Sequence, residues 1–108
     1  MHDRRVSAYD LLLKGGHVID PANGVNGLRD VAIAEGKIAA VASDIPAEQA
    51  KKTVVAEGLY VVPGLIDMHV HAFGYAGWLF PDAHALPNGA TTVVDAGGAG
   101  WRTFERFR

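Results

Sequence analysis

Two histidines separated by a single residue, His69 and His71, are the side chains in this sequence best suited to chemistry. They end the run VVPGLIDMHVH, which begins at Val61. Successive side chains of a strand point to opposite faces, so Asp67 and both histidines would share one face of a strand here. Paired neutral imidazoles suit zinc, iron and nickel. The pattern therefore predicts that His69 and His71 bind a divalent transition metal.

The spacing of the two histidines is a weak signal until its neighbours are added. With five His in 108 residues, chance alone gives about 0.2 His-x-His pairs. Requiring Asp67 two residues earlier and Pro63-Gly64 upstream lowers the expectation to about one in ten thousand. The alternative is a buried strand with two hydrogen-bonded histidines. The composite pattern favours metal binding over that alternative.

The run from Pro63 to His71 resembles the first barrel strand of the amidohydrolase superfamily of metal-dependent hydrolases. The resemblance implies that His69 and His71 hold the more buried metal of a mononuclear or binuclear site inside a (β/α)₈ barrel, with zinc the expected ion. In that superfamily a carboxylated Lys, two further His and a catalytic Asp come from later strands. No catalytic residue is therefore expected within these 108 residues.

Three other segments, 16–24, 30–38 and 89–97, resemble the deacetylase-type, dihydroorotase-like branch of the superfamily. The resemblance implies, for the complete protein, a metal-dependent hydrolase of non-peptide C–N (amide) bonds or of related acyl esters. One alternative is a dihydroorotase- or hydantoinase-like hydrolase of cyclic amides. Another is a non-catalytic, dihydropyrimidinase-related scaffold, although such relatives lack the histidine pair that is present here.

Residues 1–60 read as short strands broken by turns, and we expect them to form part of a small β-sandwich domain. The Gly15-Gly16 pair predicts a hairpin turn, and the segment 21–27 is predicted to be a loop. A turn at Glu35-Gly36 would pair Ile33 with Ile38 and Val31 with Ala40. The predicted strands are Tyr9 to Lys14, His17 to Asp20, Asp30 to Ala34, Lys37 to Ser43 and Thr53 to Ala56.

Residues 61–108 are predicted to begin a TIM barrel, with a second parallel strand from Ala90 to Asp95. A complete (β/α)₈ barrel needs about 250 residues, and this segment suffices for two β/α units. The fold class expected is therefore a β-rich N-terminal sandwich part followed by the first two units of an incomplete (β/α)₈ barrel. We expect the chain to be the N-terminal piece of a longer protein and to be inactive alone.

Five further side chains near the histidine pair are candidates for a role in the site. Asp67 could orient an imidazole, or make only a structural hydrogen bond. Asp95, at the carboxyl end of its strand, could hydrogen-bond a metal-ligating imidazole, or cap the next helix. Phe73, Tyr75 and Trp78 follow the first barrel strand, and could line an apolar substrate pocket or simply cover the mouth of the barrel.

Phe73 bears on the substrate because of the resemblance. True dihydroorotases carry at this position an Arg that grips the substrate carboxylate. A phenyl ring offers no cationic fork for such a contact, and an unpaired carboxylate buried beside it would be costly. The sequence therefore predicts N-acyl or O-acyl substrates with an apolar or aromatic acyl portion, and little activity on dihydroorotate.

Charge and amino-acid composition limit the kinds of binding partner to be expected. A formal net charge of −2 gives no basic field, so we expect neither nucleic acid nor a membrane surface as a partner. The absence of Cys excludes disulfides and thiolate ligands, and fits a cytoplasmic protein. The expected partner is a small-molecule substrate, and a homo-oligomer is also compatible with the sequence. His17 and His84 are expected to be ordinary structural histidines.

Overall fold

The computed structural model describes residues 7–73 and 77–108, which fall into two compact units that divide between Pro63 and Gly64. The β-rich character predicted from the sequence is confirmed. Whether the first unit belongs to a β-sandwich, and the second to a barrel, stays a prediction.

The first unit is built on one five-stranded sheet. The strands are β1 (Tyr9–Asp20), β2 (Val25–Ala34), β3 (Lys37–Ala42), β4 (Ala50–Val55) and β5 (Tyr60–Val61). Their order in the sheet is β3-β2-β1-β4, with the short β5 also paired to β1. β1 runs antiparallel to β2 and parallel to both β4 and β5.

A small apolar core lies on one face of this sheet. Leu12 of β1 and Ala32 of β2 are fully buried, and they pack with Ile45 from the segment that follows β3. Ile45 lies just before the short 3₁₀ turn Ala47–Gln49, which leads the chain into β4.

A buried carboxylate fastens the same segment to the sheet. Asp30 is only 2% exposed, and it accepts hydrogen bonds from Lys14 Nζ (2.7 Å), Gly15 N (2.7 Å) and Ile45 N (2.8 Å). Lys14 also reaches the exposed Asp44. Burial by itself would raise the pKa of Asp30, but the bonds from Lys14 and the two backbone N–H groups outweigh it, so the pKa is lowered. The fully satisfied charge joins β1, β2 and the Ile45 segment.

The Gly15-Gly16 hairpin predicted from the sequence is wrong. β1 is continuous, and the pair forms a bulge: two residues of β1, Lys14 and Gly15, stand opposite Asp30 alone. Gly15 has φ +74°, which a glycine adopts without strain. The chain stays extended because the second half of β1 pairs with both β2 and β5, and neither contact is visible in a local pattern.

Two further details of the first unit differ from the sequence-based expectation. Asn26-Gly27, predicted to lie in a loop, belongs to β2, and only Pro21–Asn23 forms a 3₁₀ turn. The turn at Glu35-Gly36 and the Ile33–Ile38 pair are confirmed, but Val31 faces Val41. An extra residue in β3, Ala39, shifts the register by one beyond the Ile33–Ile38 pair.

The second unit contains a two-stranded parallel sheet of β6 (Leu65–Val70) and β7 (Ala90–Asp95). The parallel strand predicted at Ala90 to Asp95 is confirmed. Between the strands lie a π-type turn (Pro81–Ala85) and a 3₁₀ turn (Leu86–Asn88). After β7 the chain reaches α1 (Phe104–Phe107). Within the described ranges, no helix combines the length and hydropathy that crossing a membrane requires.

Candidate metal centre

The two imidazoles of the motif lie next to each other at the carboxyl end of β6. His69 is in the strand, and His71 follows its last residue. Their ring centroids are 5.5 Å apart at an interplanar angle of 88°, and both residues are exposed. Strand alternation explains the pairing, since Val70 between them points the other way and is buried. The arrangement presents two adjacent nitrogen donors to the same region.

The donor set fits part of a transition-metal site. Neutral imidazole is a preferred ligand of zinc and related ions, and both rings are accessible. Catalytic zinc usually takes three protein ligands and keeps an open position. Among residues 7–73 and 77–108, however, no group of three or more His, Cys, Asp or Glu is placed to hold an ion. The pair can therefore supply two ligands, and further ligands must come from elsewhere.

Asp67 makes a backbone contact within the motif. Its Oδ1 accepts a hydrogen bond from the N–H of His69 at 3.1 Å. This contact matches the structural alternative considered for Asp67, because it fixes the backbone of β6 at the histidine. Its role as a group that orients an imidazole stays a prediction.

Asp95 joins the two loops that leave β6 and β7. Its Oδ2 accepts hydrogen bonds from Ala72 N (2.8 Å) and Phe73 N (3.1 Å), and its Oδ1 accepts one from Gly98 N (2.6 Å). These donors lower the pKa of Asp95, the Ala72 N–H most strongly, and the nearby His71 adds a smaller electrostatic contribution. Asp95 therefore holds the segment directly after His71 as well as the turn after β7.

Aromatic rings gather beyond the histidine pair. The Phe73 ring lies 5.8 Å from Trp78 and 5.6 Å from Phe107, centroid to centroid. Trp78 in turn lies 6.0 Å from Phe80. Phe73 and Trp78 are thus brought together as candidates for one pocket wall, whereas Tyr75 lies outside the described residues. Phe107 of α1 also belongs to this group, although nothing in its local sequence pattern indicates the contact.

The other described histidines have structural contacts. His17 Nε2 lies 2.7 Å from Asn26 Oδ1, and its ring packs against Tyr60. His84 Nδ1 accepts a hydrogen bond from the N–H of Phe80 at 3.0 Å. Both residues fill the structural roles expected of them.

No family model matches the chain. Individual proteins of known sequence and structure are nevertheless similar to it. Over 60 residues it is 52% identical to the dihydroorotase of Elusimicrobium minutum, a match that covers 56% of this chain and 14% of that protein. The adenine deaminase of Deinococcus radiodurans is 42% identical over 88 residues, covering 79% of this chain and 16% of the deaminase. The chain spans about a seventh of the length of the first of these relatives.

Solved structures agree with these relatives. The crystal structure of an adenine deaminase superposes with a TM-score of 0.71 at 42% identity, over 92% of this chain and 26% of the deaminase. A D-aminoacylase studied for its binuclear metal center superposes with a TM-score of 0.63 at 36% identity, over 81% of this chain and 18% of the other. All of these named relatives are enzymes. These similarities fit a fragment of an amidohydrolase.

Proposed function

We propose that this chain is part of a metal-dependent hydrolase of the deacetylase type, which cleaves non-peptide C–N bonds of N-acyl compounds or related acyl esters. The observation that carries the proposal is the pair of adjacent, exposed imidazoles at the carboxyl end of a parallel strand. Relatives named dihydroorotase, adenine deaminase and D-aminoacylase support this chemistry. The partner proposed is a small molecule in the cytoplasm, and neither nucleic acid nor a membrane.

His69 and His71 would hold the metal, and a divalent ion is supported by the similarity to the binuclear D-aminoacylase. Zinc is our proposal for its identity, since imidazole ligands suit that ion. When bound, such an ion supplies an activated water and polarises the scissile carbonyl. The chain's own contribution is to present two neutral imidazoles in fixed relation. We further propose that β6 and β7 begin a (β/α)₈ barrel, and that the five-stranded sheet belongs to a β-sandwich beside it.

Substrate choice is assigned to Phe73 and its aromatic neighbours. Phe73 follows His71 by two residues in the sequence, and its ring contacts Trp78 and Phe107. A wall of three rings favours an apolar or aromatic acyl group and offers no cation to a substrate carboxylate. An N-acyl or O-acyl substrate therefore suits the site better than dihydroorotate. Hydrolysis of cyclic amides remains the second candidate, because relatives carry the name dihydroorotase.

Steady-state kinetics test this proposal on the metal-loaded protein, expressed from its complete reading frame. The panel should contain dihydroorotate, N-acetyl amino acids, and acetylated hydroxy acids with and without an aromatic group. We expect kcat/KM to be highest for an acyl compound and to fall in Phe73→Arg. The matched variant Phe73→Leu keeps the apolar wall and should retain most of the activity. Dihydroorotate as the best substrate of the unmodified protein would overturn the deacetylase assignment.

A further inference from the structure

The carboxylate of Asp95 is placed to control the backbone beside the histidine pair. Its Oδ2 accepts hydrogen bonds from Ala72 N and Phe73 N, the backbone amides directly after His71. Its third donor, Gly98 N, belongs to the turn after β7. Asp95 is half-buried, so water competes only partly for these bonds. One side chain thus determines how the end of β6 is held against the end of β7.

The same junction is closed tightly around Gly98. A Cβ atom added to Gly98 would lie 1.9 Å from the carbonyl oxygen of Phe73 and 2.9 Å from Asp95 Oδ1. Backbone and carboxylate therefore occupy the space that any other residue would need. Two backbone bonds flank this contact, Ala96 N to Val70 O (2.8 Å) and Leu79 N to His71 O (2.9 Å). The residues around His71 are thus fixed from both sides.

We propose that Asp95 is a positioning residue for the His69–His71 pair, acting through the backbone N–H groups of Ala72 and Phe73. By holding this backbone, it sets the direction of the His71 imidazole and places the Phe73 ring against Trp78 and Phe107. This role is additional to those considered from the sequence, namely a bond to a metal-ligating imidazole and a cap on the next helix, both of which stay predictions. The expected effect on metal binding rests on the proposed function. The hydrogen bonds of Asp95 do not depend on that function.

The test compares Asp95→Asn with Asp82→Asn in the protein expressed from its complete reading frame. Both changes remove one carboxylate from the same unit, and Asp82 is an exposed residue of the π-type turn. The probe is cobalt(II), whose visible absorption reports the geometry of imidazole ligands. Groups that orient metal ligands are typically worth 10- to 100-fold in affinity, so we expect Asp95→Asn to weaken cobalt binding about tenfold or more and to alter the spectrum. Asp82→Asn should leave both unchanged.

A second measurement needs no variant, and it covers the case in which Asp95→Asn does not fold. Hydrogen exchange at Ala72, Phe73 and Gly98 is followed in the unmodified, metal-free protein. We expect all three amides to be protected before metal is added, because their acceptor is already in place. Rapid exchange at Ala72 and Phe73 would overturn the proposal, as would a folded Asp95→Asn protein with unchanged cobalt affinity and spectrum.

The outcomes separate this inference from the proposed function. An unmodified protein that binds no cobalt would contradict the metal assignment, while the exchange measurement would still decide whether Asp95 holds the backbone. If the unmodified protein binds cobalt and Asp95→Asn binds it equally, the positioning role alone is wrong.

Discussion

The two units of the chain differ in what their strands do with apolar side chains. In the first unit, Leu12 and Ala32 are fully buried under Ile45, and a buried carboxylate fastens the covering segment. In the second unit, Ile66 is 63% exposed and Met68 is 77% exposed, although both lie in β6. The unit that carries the candidate chemistry is therefore the one with the smaller core of its own. The larger apolar core and the candidate metal ligands thus lie in different units.

The largest effect that would sharpen this contrast is expected for Asp30→Ala. The change leaves the N–H groups of Gly15 and Ile45 without an acceptor and removes the buried partner of Lys14. Each buried donor left without an acceptor in this way costs about 1–3 kcal/mol. Hydrogen exchange at the β1 and β2 amides should therefore accelerate strongly. Asp44→Ala removes the exposed partner of the same Lys14, and is expected to have little effect because water replaces it.

A somewhat smaller loss is expected for Leu12→Ala. Leu12 is 0% exposed, and truncation of a buried Leu costs about 2–5 kcal/mol through lost burial and the cavity left behind. Ile66→Ala is the matched change in β6 and should cost much less in this chain, because its side chain is already largely in solvent. Equal losses, measured by denaturation of the 108-residue chain, would contradict the contrast between the units.

The smallest expected effect is a dependence of the first unit on pH. The pKa of Asp30 is lowered in the folded chain relative to its ordinary value of 3.8. A lowered pKa contributes stability that is present above the unfolded value, and this stability is lost as the pH falls through the folded pKa. Stability of the first unit should therefore decline on acidification below about pH 4. Asp30→Asn should be less stable at neutral pH and should show a flatter acid profile.

The sequence predicted what depends on local pattern. The alternation in β6, the adjacent imidazoles and the turn at Glu35-Gly36 each follow from a few consecutive residues. The continuity of β1 could not be predicted in this way, because Gly15-Gly16 is as suitable for a bulge as for a turn. Only the partners across the sheet decide between the two, and they lie far away in sequence.

The candidate site shows the same division. His69 and His71 could be found from spacing, and Asp95 from its place at a strand end. Asp95 accepts one hydrogen bond from Gly98 N, three residues later, but its bonds from Ala72 N and Phe73 N come from the other loop, and no spacing rule predicts them. Phe107 likewise joins Phe73 only through the path of the chain after β7. Contacts between loops therefore had to come from the structure.

The most direct test of the central claim is elemental analysis of the protein expressed from its complete reading frame. His69→Ala and His71→Ala are compared with His84→Ala, which removes an exposed imidazole of the same unit. We predict that the unmodified protein and His84→Ala carry the same content of divalent transition metal. Each motif variant should lose at least one equivalent, because an incomplete ligand set binds weakly. Unchanged metal content in folded His69→Ala and His71→Ala would contradict the assignment of these residues as metal ligands.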